Sequence, residues 1–291
     1  MVRHRFRSAI VVSFLVLGSV HCVAHPLVQS QTSGSEANNA DALALLGLDL
    51  LSAEIIPVTD SLLVSLRSDR GVTIAGDGTM ISWENSVNAQ KATITGLGNT
   101  PTFLTSDPVL NGRPSVVFSG GAMEYLNLTL SDTVTYFVAF RNSLTGVTVV
   151  MEHGDDANFV NGGGMYLSGS NSDTVAFRRG TGGFATTMSA LDYLADWSAT
   201  NTSIVATGQY AGSNASHIFR FNGTAPTVTN PLTNDPTGSQ TASLYFGGRG
   251  RPPDGMNFYY MDGAIAEILI YDRALSLSEI EAVETYLMKR Y

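Results

Sequence analysis

Short apolar runs separated by turn residues fill the chain from Ser61 onward. SLLVSL (61–66), SVVF (115–118), TVTYFVAF (133–140), VTVVM (147–151), TSIVATGQY (202–210), HIFRF (217–221) and ASLYFGG (242–248) are rich in β-branched and aromatic residues. Runs of this length and composition predict strands. Gly, Asn, Asp and Pro punctuate them, and GDG (76–78), NGG (161–163) and GTGG (180–183) are predicted as turns. No helical pattern separates successive strands, so neighbours can pair directly, which favours an antiparallel sandwich over a βαβ sheet. A fixed-period repeat is absent, which argues against a propeller or solenoid.

The end of the chain follows a different rule. GAIAEILIYD (263–272) reads as a strand buried on both faces, with Glu267 as a buried acid that accepts hydrogen bonds. Residues 276–291 predict one helix. Ser276 and Glu279 form a capping-box pattern, and Ile280, Val283, Tyr286 and Leu287 share one face. Lys289 and Arg290 suit the negative end of the helix dipole. Glu279, Glu281 and Glu284 are expected at the helix start and on its solvent side.

The beginning has the pattern of a secretory signal at residues 1–24. Arg3, Arg5 and Arg7 precede the apolar stretch Ala9 to Val20, and Cys22-Val23-Ala24 offers small residues for cleavage. A membrane anchor is the alternative, but the stretch is shorter than the roughly 20 residues a spanning helix needs. No membrane span is expected after cleavage. Residues 25–56 read as a polar linker with a short helix over Asp41 to Ile55, and the folded domain as 57–291. Cleavage would remove Cys22, the only cysteine, leaving an extracellular body without a disulfide. It would also remove three arginines and no acid, taking the formal charge from -9 to -12.

Composition narrows the partners. Charged residues make up 14% of the chain against 44% hydrophobic, and Lys91 and Lys289 are the only lysines. No basic stripe can form, so nucleic acid is excluded as a partner.

Several segments together resemble a known family. DGAIAEILIYDRALSLSEIEAVETYLMKRY (262–291) is similar to the closing strand and helix of bacterial-type laminin G-like, concanavalin A-like lectin/glucanase jelly-roll domains. LLVSLRSDRGVTIAGDGTMISWENSVN (62–88), NGRPSVVFSGGAMEYLNL (111–128), TYFVAFR (135–141) and LYFGGR (244–249) match further strands in order. The resemblance implies an all-β jelly-roll sandwich with one short C-terminal helix. It also implies a secreted, non-catalytic carbohydrate-binding module for extracellular or cell-surface polysaccharide. A glycoside hydrolase or lyase on the same fold, and an adhesion or surface-assembly subunit with protein partners, are the alternatives. A fold of this kind hosts many activities, so the site must decide.

The laminarinase group of this fold takes its carboxylates from Glu-x-Asp-x-x-Glu on one strand, and that motif does not occur. The nearest acidic cluster is Glu152, Asp155 and Asp156. Only His153 and His217 remain in the folded body, too few for a histidine-rich metal centre. Sugar recognition needs aromatic faces and planar polar side chains. Two loops supply both: residues 153–166, with Asp155, Asp156, Asn158, Asn161 and Tyr166, and residues 247–260, with Arg249, Arg251, Asp254, Asn257 and Tyr259. The oxygens of Asp155, Asp156 and Asn158 would also suit a calcium ion. Trp197 is the tryptophan expected at the surface and Trp83 the one expected in the core. Asn127, Asn201, Asn214 and Asn222 each begin a glycosylation sequon.

Overall fold

The computed structural model describes residues 55–143, 148–154, 162–168, 174–180, 189–190, 202–212, 218–225, 239–249 and 259–291. The expected signal peptide and the helix over 41–55 fall outside these residues, Ile55 apart. The domain comprises Ile56–Tyr291.

Among the described residues, sixteen strands and one helix follow in chain order: β1 (Leu62–Arg67), β2 (Val72–Ile74), β3 (Met80–Glu84), β4 (Lys91–Gly98), β5 (Thr102–Asp107), β6 (Arg113–Ser119), β7 (Gly121–Leu130) and β8 (Thr133–Asn142). Then come β9 (Thr148–His153), β10 (Gly162–Ser168), β11 (Thr174–Gly180), β12 (Ser189–Ala190), β13 (Ile204–Ala211), β14 (Ile218–Phe221), β15 (Gln240–Phe246), β16 (Asp262–Tyr271) and α1 (Leu277–Arg290). A 3₁₀ turn, Pro108–Leu110, joins β5 to β6.

The strands form two antiparallel sheets. The seven-stranded sheet runs β14-β13-β8-β16-β6-β5, with β1 beside the second half of β16. The nine-stranded sheet runs β12-β11-β10-β9-β15-β7-β4-β3-β2. Their inner faces enclose Trp83, Phe118, Met123, Tyr125, Val138, Phe140, Met151, Phe246, Ile265 and Ile268, all essentially buried. Trp83 is fully buried, and its indole N–H donates to the Arg67 carbonyl at 2.9 Å. Its ring meets Phe246 edge-on with centroids 5.9 Å apart. The architecture is the all-β, concanavalin A-like antiparallel sandwich.

The second apolar cluster explains the helix. Phe137, Ala139, Val205, Ala264, Leu269 and Tyr271 point out of the seven-stranded sheet and are covered by Ile280, Val283, Tyr286 and Leu287. Both faces of β16 and β8 are therefore buried, which is why their sequences are apolar throughout rather than alternating. The capping box forms as expected: Ser276 is the N-cap, and Glu279 reaches back to its backbone N–H at 2.8 Å.

Two expectations need correction. Glu284 is not on the solvent side of α1: it is 1% exposed and accepts from Thr207 Oγ1 at 2.7 Å and Arg220 Nε at 3.0 Å. Its position, four residues after Ile280, turns it toward the sheet beside β13 and β14. Nor is NGG at 161–163 a turn, because Gly162 and Gly163 open β10 and pair with β9 and β11. Local glycine content suggested a turn; cross-strand pairing decides otherwise. The GDG turn at 76–78 does form, with Gly78 at φ +86° and Asp77 accepting from the Thr79 N–H at 3.0 Å.

Beneath the helix Glu267 is fully buried. It accepts from Tyr286 at 3.0 Å and from Tyr291 at 2.8 Å, with Arg290 Nε 3.5 Å away. Burial pushes its carboxyl up from the ordinary range, and Arg67, Tyr291, Arg290 and Tyr286 oppose that rise. Arg67 and Arg290 both engage Asp69, which closes the network. The acid is structural.

Candidate functional site on the outer face of the nine-stranded sheet

Three strands at the centre of the nine-stranded sheet share one local pattern. Each places a single polar or amphipathic residue between two large inward ones: Met123-Glu124-Tyr125 on β7, Leu244-Tyr245-Phe246 on β15 and Met151-Glu152-His153 on β9. The flanking residues are buried, so the period of two turns Glu124, Tyr245 and Glu152 outward. Register puts them side by side: Glu124 pairs with Tyr245, and Tyr245 with Glu152. Thr93 continues the row on β4, and Gly164 and Arg178 continue it by position on β10 and β11.

Hydrogen bonds fix the centre of the row. Glu124 Oε1 accepts from Ser243 Oγ and from Tyr245 Oη, each at 2.8 Å. Its second oxygen, Oε2, has no hydrogen-bond partner among the described residues. Glu124 is half-buried, whereas Tyr245 and Glu152 are each 5% exposed. Arg249 lies 1% exposed, with Nε 3.8 Å from Glu152 Oε2 and its guanidinium 6.0 Å from the Tyr259 ring centroid. Leu126, outward on β7, is 47% exposed and provides an apolar surface beside the row.

Glycines shape this end of the sheet. Gly247 sits at φ +81°, and a Cβ there would lie 2.0 Å from Phe118 Cδ1. A Cβ on Gly248 would lie 2.6 Å from the Tyr260 ring. Close packing against aromatic rings, rather than turn formation alone, accounts for these glycines. It allows Arg249 to reach Glu152 and Tyr259.

Of the residues singled out in the sequence, Arg249 and Tyr259 are brought together, but Arg249 is engaged with Glu152 instead of facing solvent. Tyr166 lies in β10, whose register places it opposite Ala176 and Val149. Asp155, Asp156, Asn158, Asn161, Trp197, Arg251, Asp254, Asn257 and His217 lie outside the described residues, and with them the expected calcium ligands. His153 faces inward, fully packed, with Nε2 2.9 Å from the Leu128 carbonyl. Among the described residues no group of three or more His, Cys, Asp or Glu could hold a metal ion. No helix of the described residues is long and apolar enough to cross a membrane. Asn127 and Asn222, which begin two sequons, are both exposed.

Glu124, Ser243 and Tyr245 were missed in the sequence. The signal that could have found them is the isolated polar position between large apolar residues, repeated in MEY, LYF and MEH.

No protein-family model and no curated protein matches the chain. Solved structures do match. Trypanosoma rangeli sialidase in complex with 2,3-difluoro-KDN is similar over 80% of this chain and 33% of its own, at 13% identity and a TM-score of 0.51. A mutant of HCR/D is similar over 78% of this chain and 52% of its own, at 13% identity and a TM-score of 0.50. Domain 4 of AbnA, a GH43 extracellular arabinanase from Geobacillus stearothermophilus in complex with arabinotriose, gives 15% identity, 77% and 98% coverage, and a TM-score of 0.49. The chain thus spans about a third of the length of the sialidase it matches. The sialidase and HCR/D likenesses establish the sandwich fold.

Proposed function

We propose that this chain is an exported carbohydrate-binding module of the laminin G-like kind, which holds polysaccharide against the outer face of its nine-stranded sheet. The observation that carries the reading is the row Glu124, Tyr245 and Glu152, with Arg249 and Tyr259 beside it. Sugars are bound through hydroxyl hydrogen bonds to planar polar groups and through C–H contacts with aromatic and apolar faces. Of these residues, half-buried Glu124 offers the planar polar group and the exposed Leu126 the apolar face. The 2,3-difluoro-KDN complex of the sialidase agrees with a sugar-directed sandwich. Asp155, Asp156 and Asn158, which follow β9 in the sequence, keep their place in the proposal as calcium ligands, to be tested by chelator.

Two acids in one row raise hydrolysis as a second reading. Glu124 and Glu152 stand two strands apart, roughly 10 Å between backbones at the usual strand spacing. A retaining glycosidase needs its carboxyl groups about 5 Å apart, and an inverting one tolerates up to about 9.5 Å. The wide spacing and the Arg249 contact to Glu152 make binding the stronger reading.

A glycan array with the full chain, run beside a reducing-end assay on the same polymers, separates the two. Binding without release is the expected result. Turnover that disappears on Glu124→Gln or Glu152→Gln would replace the binding module with an enzyme.

A further inference from the structure

We infer that Glu124 is the specificity-determining residue of this face, selecting uncharged polysaccharide and excluding polymers of acidic sugars. The inference rests on the binding reading above and adds the chemical class of the ligand.

Glu124 is held by one oxygen only. Ser243 and Tyr245 both donate to Oε1, which holds the carboxylate, and Oε2 has no hydrogen-bond partner among the described residues. A carboxylate oxygen can only accept, so its natural partner is a hydroxyl donor, and the charge makes that bond stronger than a neutral one. A ligand carboxylate or sulfate at the same place would meet like charge.

Among the residues whose side chains are described, the cations beside this face already have acid partners. Arg249 is engaged by Glu152 at 3.8 Å. Lys91, on the strand next to β7, is paired with Glu84 at 3.7 Å. Arg178 shares the row by register, but four strand steps separate β11 from β7, roughly 19 Å. That exceeds the screening length of about 8 Å at physiological salt. With a chain charge of -9, the electrostatic field also disfavours polyanions at a distance.

The test uses the full chain on an array pairing uncharged polysaccharides with uronate-bearing polymers, in physiological salt. Wild type is expected to bind uncharged members and no polyuronate. Glu124→Gln keeps an acceptor for Ser243 and Tyr245 but offers the ligand an amide N–H₂. It should lose about tenfold or more in affinity for the uncharged ligand, the usual worth of a charge-assisted bond, and narrow the gap to polyuronates. Glu124→Asp keeps the charge and should keep the exclusion while losing affinity, and thermal melting reports whether each variant is folded. Polyuronate bound as tightly as the best uncharged polymer, or folded variants indistinguishable from wild type, would overturn the inference and leave the binding reading standing. Wild type binding nothing on the array would overturn both.

Discussion

Tyr245 on β15 and Glu124 on β7 stand side by side on the outer side of the nine-stranded sheet, the phenol donating to the carboxylate at 2.8 Å although 121 residues separate them in the chain. The bond joins the two strands outside the backbone ladder and sets the direction of the carboxylate. Tyr245→Phe removes that donor without creating a cavity, and Ser243 remains. Stability should fall by about 1.5–3 kcal/mol, the range for a hydrogen bond to a charged acceptor. Polysaccharide affinity should fall as well, because Glu124 is then held by Ser243 alone. Urea unfolding beside binding isotherms checks both; a variant that loses stability but not affinity would separate the bond from the site.

Glu267 gives the largest expected stability effect. Its carboxylate is fully buried among Tyr286, Tyr291 and Arg290, and Glu267→Ala takes the acceptor from both phenols and leaves Asp69 as the carboxylate partner of the buried Arg290 guanidinium. Breaking one side of a buried ion pair costs roughly 3–5 kcal/mol. Chemical denaturation of Glu267→Ala against Glu267→Gln tests this, since the amide retains an acceptor oxygen and should lose less. Equal losses would mean that the charge, rather than the hydrogen bonding, holds the network.

The contrast between the fold and the site lies in where their information sits. TVTYFVAF, GAIAEILIYD and the helix at 276–291 carry their structure in their own residues, because each needs only a period or an apolar run to declare burial. The site depends on register. Glu124, Tyr245 and Glu152 come from three separate segments, and nothing local to MEY, LYF or MEH indicates that their polar residues are neighbours. The same reason explains Glu284. A glutamate in a helix with Glu279 and Glu281 nearby reads as solvated until Thr207 and Arg220 arrive from β13 and β14. Glycine misleads in the opposite direction: Gly162 and Gly163 look like a turn but sit in a strand whose partners lie elsewhere in the chain.

The two helix glutamates facing Arg220 should behave differently. Glu284 is buried against it at 3.0 Å, whereas Glu281 lies 3.9 Å away with its side chain 55% exposed. Glu284→Ala strands Arg220 and Thr207 and should cost roughly 3–5 kcal/mol. Glu281→Ala should stay within about 1 kcal/mol, as exposed pairs do. Guanidinium melts of the two single variants decide it, and similar losses would mean that both acids are equally solvated.

Glu279 adds a dependence on pH whose sign is fixed by its contacts. The Arg273 guanidinium grips both of its carboxylate oxygens, at 3.0 and 2.7 Å, and Ser276 donates through its backbone N–H and hydroxyl. These bonds, the Arg273 one foremost, hold its carboxyl down from 4.5 to about 2 in the folded protein. Folding therefore favours the ionised form, and the contribution is complete above pH 4.5 and fades as pH falls toward 2. Glu279→Gln cannot ionise, so wild type should exceed it in stability at pH 7, with the difference shrinking steadily between pH 4.5 and 2. Subtracting the two urea-derived stabilities at each pH cancels the acids they share. A difference that stays constant over that window would mean that the capping box and the Arg273 contact do not depend on the charge of Glu279.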